Sequence, residues 1–63
     1  MKHIIFVKDL DTEEAYKKVA HEMDNTRIEY SISLGTSSVT VSGSNDVVYT
    51  AKQAIIQAGF IVQ

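Results

Sequence analysis

Apolar residues in this chain follow two spacings, and the order in which those spacings alternate is what most limits its fold. His3 to Lys8 carries Ile4, Ile5, Phe6 and Val7 in a row, a branched and aromatic run too short for a buried helix, and it reads as a strand with two apolar faces. Asp9 to Asp11 turns the chain. From Thr12 to about Met23 the apolar positions are Ala15, Tyr16, Val19, Ala20 and Met23, which form a helical stripe. Asp24, Asn25 and Thr26 are turn formers and stop it. From Arg27 the period becomes two: Ile28, Tyr30, Ile32 and Leu34 lie on one face, Glu29, Ser31 and Ser33 on the other. Gly35 to Ser37 reverses the chain, and Val39 and Val41 alternate with Ser38, Thr40 and Ser42 as the returning arm of a hairpin. Gly43 to Asn45 breaks that strand. A second helix, roughly Asp46 to Ala58, places Val47, Val48, Ala51, Ala54, Ile55 and Ala58 on one broad face, with Lys52, Gln53 and Gln57 opposite. Gly59 has the position of a helix-ending residue with positive φ, and Phe60 to Gln63 reads as a last short strand.

Strand-helix-strand thus occurs twice, in the order βαββαβ. Two such split units interlock so that each crossover skips one strand, which predicts an α+β ferredoxin-like sandwich with antiparallel strand order 4-1-3-2 and both helices on one face. The helix-facing layer is then Ile5, Val7, Ile28, Tyr30, Ile32, Leu34, Val39, Val41, Phe60 and Val62. Residues 1–63 make a single domain. At this size folding hides only ~60% of the unfolded surface, and with no Cys neither disulfides nor a thiolate metal site can staple the chain, so a simple, well-patterned core has to suffice.

The link Lys8-Asp9-Leu10-Asp11-Thr12-Glu13-Glu14-Ala15-Tyr16 joins the first strand to the first helix. Asp11 and Glu14 have the spacing of a capping box, and Glu13 and Glu14 suit the positive end of the helix. Ser44 and Asn45 are the candidate caps of the second helix, with Asp46 in its first turn.

Eight acids against six bases, scattered rather than blocked, give a formal net charge of -2, which argues against a nucleic acid backbone or an anionic membrane as partner. No apolar run reaches membrane-spanning length, and Lys8 interrupts the first one too early for a signal peptide. A cytoplasmic, complete protein without membrane insertion is the expectation. Catalysis has no support, because no His or Lys is placed as the base for a Ser or Thr nucleophile. RNA-recognition domains share the βαββαβ order and Phe6 occupies a stacking position, but Thr40 stands where a second aromatic is needed.

Over essentially its whole length the chain resembles the heavy-metal-associated domain family, the small copper chaperones and the N-terminal domains of metal-transporting ATPases. In that family a strand ending in valine leads into a Gly-Met-Thr-Cys-x-x-Cys loop that opens the first helix, and the second helix ends in an Ala-Gly-Tyr-like segment. Here Val7 precedes Asp9-Leu10-Asp11-Thr12-Glu13-Glu14-Ala15, and Ala54-Ile55 and Ala58-Gly59-Phe60 stand at the second motif. Leu10 takes the place of the packing methionine. The two metal-binding cysteines fall on Thr12 and Ala15, and a hydroxyl and a methyl cannot replace two thiolates around a soft ion such as Cu(I). The resemblance implies that the metal loop is also a docking surface, and assigns Leu10, Thr12, Ala15 and Phe60 to it.

No other metal set stands out. Asp9, Asp11, Glu13 and Glu14 lack a loop of Ca²⁺-binding length or a central Gly, and His3, His21, Met1 and Met23 are dispersed. The strand order adds one more feature: on the sheet face away from the helices, Ile4 and Phe6 of the first strand and Ile61 of the fourth gather on one half, while Glu29, Ser31, Ser33, Ser38, Thr40 and Ser42 occupy the other. Tyr49 and Ile56, seven apart on the second helix, form a smaller apolar pair. The sequence therefore predicts a small non-catalytic binding protein that has lost the thiolate site, needs no cofactor and acts through a protein partner or as a homodimer. The alternative is a heavy-metal carrier that uses non-cysteine or intermolecular ligands.

Overall fold

The computed structural model describes every residue from Met1 to Gln63. The elements are β1 (Lys2–Lys8), α1 (Glu13–Asp24), β2 (Tyr30–Ser33), β3 (Ser38–Ser42), α2 (Asn45–Gln57) and β4 (Ile61–Val62). They build one four-stranded antiparallel sheet in the order β2-β3-β1-β4, the expected 4-1-3-2 arrangement. The registers Ile5↔Val39, His3↔Val41, Ile32↔Val39, Tyr30↔Val41 and Val7↔Val62 line the alternating apolar residues up on one face.

That face meets the two helices. Ile5, Val7, Val39 and Val41 from the sheet pack with Ala15, Val19 and Met23 of α1, Ala51, Ala54 and Ile55 of α2, and Leu10 from the β1–α1 link as one buried core. Ile28, Tyr30, Ile32, Leu34, Val47, Val48, Ala58, Phe60 and Val62 close its rim, half-buried. Fully burying a Val, Leu or Ile side chain contributes roughly 1.5 to 3 kcal/mol, so this single cluster has to offset most of the ordering entropy. Both helices present the predicted stripes, although Tyr16 lies at the exposed margin of its own.

Three local features differ from the sequence reading. The helix cap is Thr12, not Asp11: Thr12 has extended backbone angles and its Oγ1 accepts from the Ala15 amide at 3.1 Å. Asp9 in the left-handed region (φ 65°) turns the chain, and Leu10 drops fully into the core. Helix α1 then begins at Glu13, so Glu14 lies one residue short of the capping-box position and instead faces Lys18 at 3.7 Å. Strand β2 begins at Tyr30 rather than near Arg27, because the turn after α1 is longer than its turn formers indicate: Thr26 Oγ1 donates to the Met23 carbonyl (2.6 Å) and accepts from the Ile28 amide (3.2 Å), and Arg27 takes φ 61°. The last strand is shorter than predicted, two residues, with Phe60 in the link before it.

At the other end of the sheet Gly43 takes φ 140° on the way into α2. A Cβ there would stand 2.9 Å from Val47 Cγ1, so both the backbone angle and the close approach of α2 require glycine. Ser44 is the α2 cap by backbone position, without a side-chain hydrogen bond. Gly59 adopts φ 95°, as its place after the helix predicted.

Candidate functional site

The β1–α1 link and the α2–β4 connection come together at one end of the molecule, where Lys8, Asp9, Gly59, Phe60 and Ile61 line a shallow cleft of about 150 Å³. The four residues that the resemblance assigns to this end divide by exposure. Leu10 and Ala15 are buried and shape the loop from below. Thr12 lies at the surface, and Phe60 is half-buried between core and cleft. Asp9 and Phe60 line the cleft, and Asp11 and Thr12 are exposed on the adjoining link.

Thr12 caps α1 and Ala15 lies in its first turn, yet they present nothing to a metal ion. The Thr12 hydroxyl is engaged by the Ala15 amide, which satisfies one of the unpaired donors of the first helical turn. The Ala15 methyl is packed inward. Nowhere do three or more His, Asp or Glu side chains converge as a ligand set. The first-turn acids point along the helix instead, with Glu13 3.9 Å from Lys17 and Glu14 3.7 Å from Lys18, both pairs well exposed.

The open sheet face carries the apolar residues where the strand order placed them. Ile4 is 62% exposed, Phe6 51% and Ile61 65%. Ile4 pairs with Thr40, Phe6 with Ser38 and Lys8 with Ile61, and the Gln63 amide donates to the Phe6 carbonyl at 2.9 Å, so Ile61 sits diagonal to Phe6 across the β1–β4 ladder. Lys2 and Lys8 close the stripe at its two ends. Ile61 belongs to both this stripe and the cleft beside Phe60, so the cleft and the apolar half of the sheet face adjoin. The polar half of the face is a shallow hollow of about 460 Å³ whose floor includes Lys2, Glu29, Ser31, Thr40 and Ser42. Ser38 is buried, its hydroxyl 2.7 Å from that of Thr36. On α2, Tyr49 and Ile56 are also exposed.

Two polar contacts had no signal in the sequence. The Tyr30 hydroxyl donates to Asp24 Oδ1 at 2.6 Å and approaches the Ala20 carbonyl at 3.4 Å. That hydrogen bond to the carboxylate, then burial and the nearby negative charge, push the phenol from 10.0 up to about 12. His3, half-buried at the rim of β1, places Nε2 3.1 Å from the Gly43 carbonyl.

No family model matches the chain, and neither does any curated protein. Among solved structures, the NMR structure of a heavy metal binding protein from Thermotoga maritima superposes with a TM-score of 0.85 over 100% of this chain and 92% of that one, at 14% sequence identity. The chain therefore has the ferredoxin-like α+β fold of that heavy metal binding protein. No helix is long and apolar enough to cross a membrane.

Proposed function

We propose that this chain is a non-catalytic binding domain of the heavy-metal-associated type that has given up the thiolate site and works through protein contacts. The observation that carries this reading is the state of Thr12 and Ala15. At the two positions where the resemblance puts metal ligands, one side chain caps a helix and the other fills the core, while the surrounding fold superposes on a protein named for heavy metal binding. A loop that keeps its backbone role but holds a cap and a packed methyl is suited to docking rather than to holding Cu(I). The surface offered to a partner is the continuous one from Thr12 and Phe60 through Ile61 to Phe6 and Ile4. Its exposed apolar side chains, rimmed by Lys2, Lys8 and the Ser/Thr half of the sheet, fit association with a protein surface, including a second copy of the chain.

The test is a Cu(I) titration under reducing conditions on wild type and on a Thr12→Cys, Ala15→Cys variant, with circular dichroism confirming that both are folded. The expected result is no stoichiometric binding by wild type and one equivalent bound by the variant. Tight Cu(I) binding by wild type overturns the reading. Light scattering across a concentration series, on wild type and Phe6→Ser, then decides whether the partner is a second copy: a rise in mass with concentration that Phe6→Ser abolishes identifies the homodimer.

A further inference from the structure

The sheet has two outer edges, and they differ in what they offer another strand. Strand β4 is two residues long, too short to serve as a template. Strand β2 reads Tyr-Ser-Ile-Ser, with no charge and no proline to blunt it. On its inner side the Ser42 amide donates to the Glu29 carbonyl at 3.1 Å, and Ser31 and Ser33 follow at the strand's period of two as the hydrogen-bonded partners of Thr40 and Ser38. The amides and carbonyls of Tyr30 and Ile32 therefore point away from β3, and no turn, loop or cap bond uses them. At the two ends of this free stretch the chain satisfies itself. The Ile28 amide donates to Thr26 Oγ1 at 3.2 Å, and the Leu34 carbonyl accepts from the Ser37 amide at 3.3 Å. Free and occupied groups are thus arranged symmetrically about Ser31.

We propose that the β2 edge pairs with the β2 edge of a second copy of the chain, antiparallel about a two-fold axis at Ser31, so that the two four-stranded sheets become one. The proposal rests on the reading of the chain as one that works through protein contacts, and it leaves the face with Ile4, Phe6 and Ile61 to a different partner. In this register Tyr30 lies opposite Ile32 of the second copy, and each such pair exchanges both of its N–H···O bonds. The Ile28 amide falls opposite the Leu34 carbonyl of the second copy; each already has its partner, so the pairing strands neither.

The side chains match in the same register. The two-fold keeps both helix layers on one side of the joined sheet, so half-buried Ile28, Tyr30, Ile32 and Leu34 meet the same four residues in reverse order. Tyr16 of α1 is 40% exposed and near enough to act on the Tyr30 phenol, so helix and strand present one apolar rim. On the open face Ser31 meets Ser31 and Glu29 meets Ser33, so no like charges are opposed across the new pair. A strand from another protein fits only if it repeats this pattern, whereas the chain's own β2 does so by symmetry. The contact also closes, because it consumes both β2 edges and leaves only the two-residue β4 edges outside.

The experiment measures mass by sedimentation equilibrium over a concentration series for the full chain and for Ser31→Lys, Ser33→Lys and Phe6→Ser, three exposed positions, with circular dichroism confirming that each is folded. Wild type is expected to pass from monomer to dimer and no further. Ser31→Lys sets two ammonium groups opposite each other at the axis and should weaken the dimer about tenfold or more. Ser33→Lys adds the same charge to the same strand but sets it opposite Glu29 of the second copy, so the dimer should hold or tighten. Phe6→Ser lies off the edge and should leave the dimer unchanged. Isotope-filtered NMR of a mixed sample should show a cross-peak between the α-protons of Glu29 and Ser33 from different copies, which along one extended strand lie about 13 Å apart. A chain that is monomeric at every concentration, an undiminished dimer in Ser31→Lys, or equal loss in both Lys variants overturns the proposal. So does a dimer lost only in Phe6→Ser, which moves self-association to the sheet face and leaves the docking reading standing. None of these readouts involves a metal, so their failure is separate from that of the Cu(I) titration.

Discussion

A single phenol joins the end of α1 to the edge strand β2. Tyr30 reaches from the sheet to Asp24 in the last turn of the helix, and the short 2.6 Å hydrogen bond to an ionised partner is of the stronger, charge-assisted kind. Tyr30→Phe keeps the ring and its packing and removes only this tie, so it should lower stability by about 0.5–1.5 kcal/mol in urea unfolding at neutral pH. The phenol also gives a pH dependence with a definite sign. Its proton is held more tightly in the folded state, about 12 against 10.0 unfolded, so the native chain binds more protons than the unfolded one between those values. The stabilisation is complete below pH 10 and is lost as the pH rises toward 12. Denaturant midpoints should therefore fall more steeply with alkaline pH in wild type than in Tyr30→Phe, and parallel curves would refute the assignment. Neither residue advertised this role in the sequence. Tyr30 counted as one of an alternating apolar set and Asp24 as a turn former, and only the way α1 lies over β2 brings their oxygens together.

Among the elements, α1 depends most on its first turn. Its stripe of Ala15, Val19 and Met23 is narrow, and its outer face is held by exposed charge pairs that contribute little. Thr12 therefore matters to the helix itself: Thr12→Ala should cost about 1 kcal/mol, and Thr12→Ser, which keeps the hydroxyl, much less. Thermal melts of the two variants beside Asp11→Ala check this, since a cap at Asp11 predicts the reverse ranking. The helix was legible from its period, whereas its starting residue was not. Asp11 and Thr12 are both good caps by composition, and the choice was made by Leu10, which must reach the core, and by the left-handed turn at Asp9 that lets it do so. The same limit applied at β2, where the Thr26 side-chain bonds and the Arg27 backbone delay the strand.

For the molecule as a whole, the sheet layer beneath the helices carries the stability. Val41 pairs with Tyr30 on one side and His3 on the other and has no solvent exposure. A carboxylate there is taken out of water among apolar side chains, so Val41→Asp should abolish the cooperative thermal transition seen by circular dichroism, and a retained native melt would mean the layer is wrongly assigned. The opposite face of the same sheet shows the reverse economy: Ile4, Phe6 and Ile61 are open to water although strands 1 and 4 could carry polar side chains there as strands 2 and 3 do. Substitutions on that face are expected to leave the fold intact and to change association instead.

The sequence by itself determined the order of the elements, the strand order and which residues face the helices. All three follow from the hydrophobic period and the chirality of crossovers, which act locally and repeat along each element. It also placed Ile4, Phe6 and Ile61 together, because register and alternation are enough to say which side chains share a face. What only the tertiary structure decided were contacts between distant backbone and side-chain atoms: Thr12 rather than Asp11 as the cap, Tyr30 on Asp24, His3 on the Gly43 carbonyl, and Leu10 and Ala15 buried beneath the surface of the β1–α1 link. Such contacts depend on distances of a few tenths of an ångström set by how whole elements pack, and no spacing along the chain encodes them.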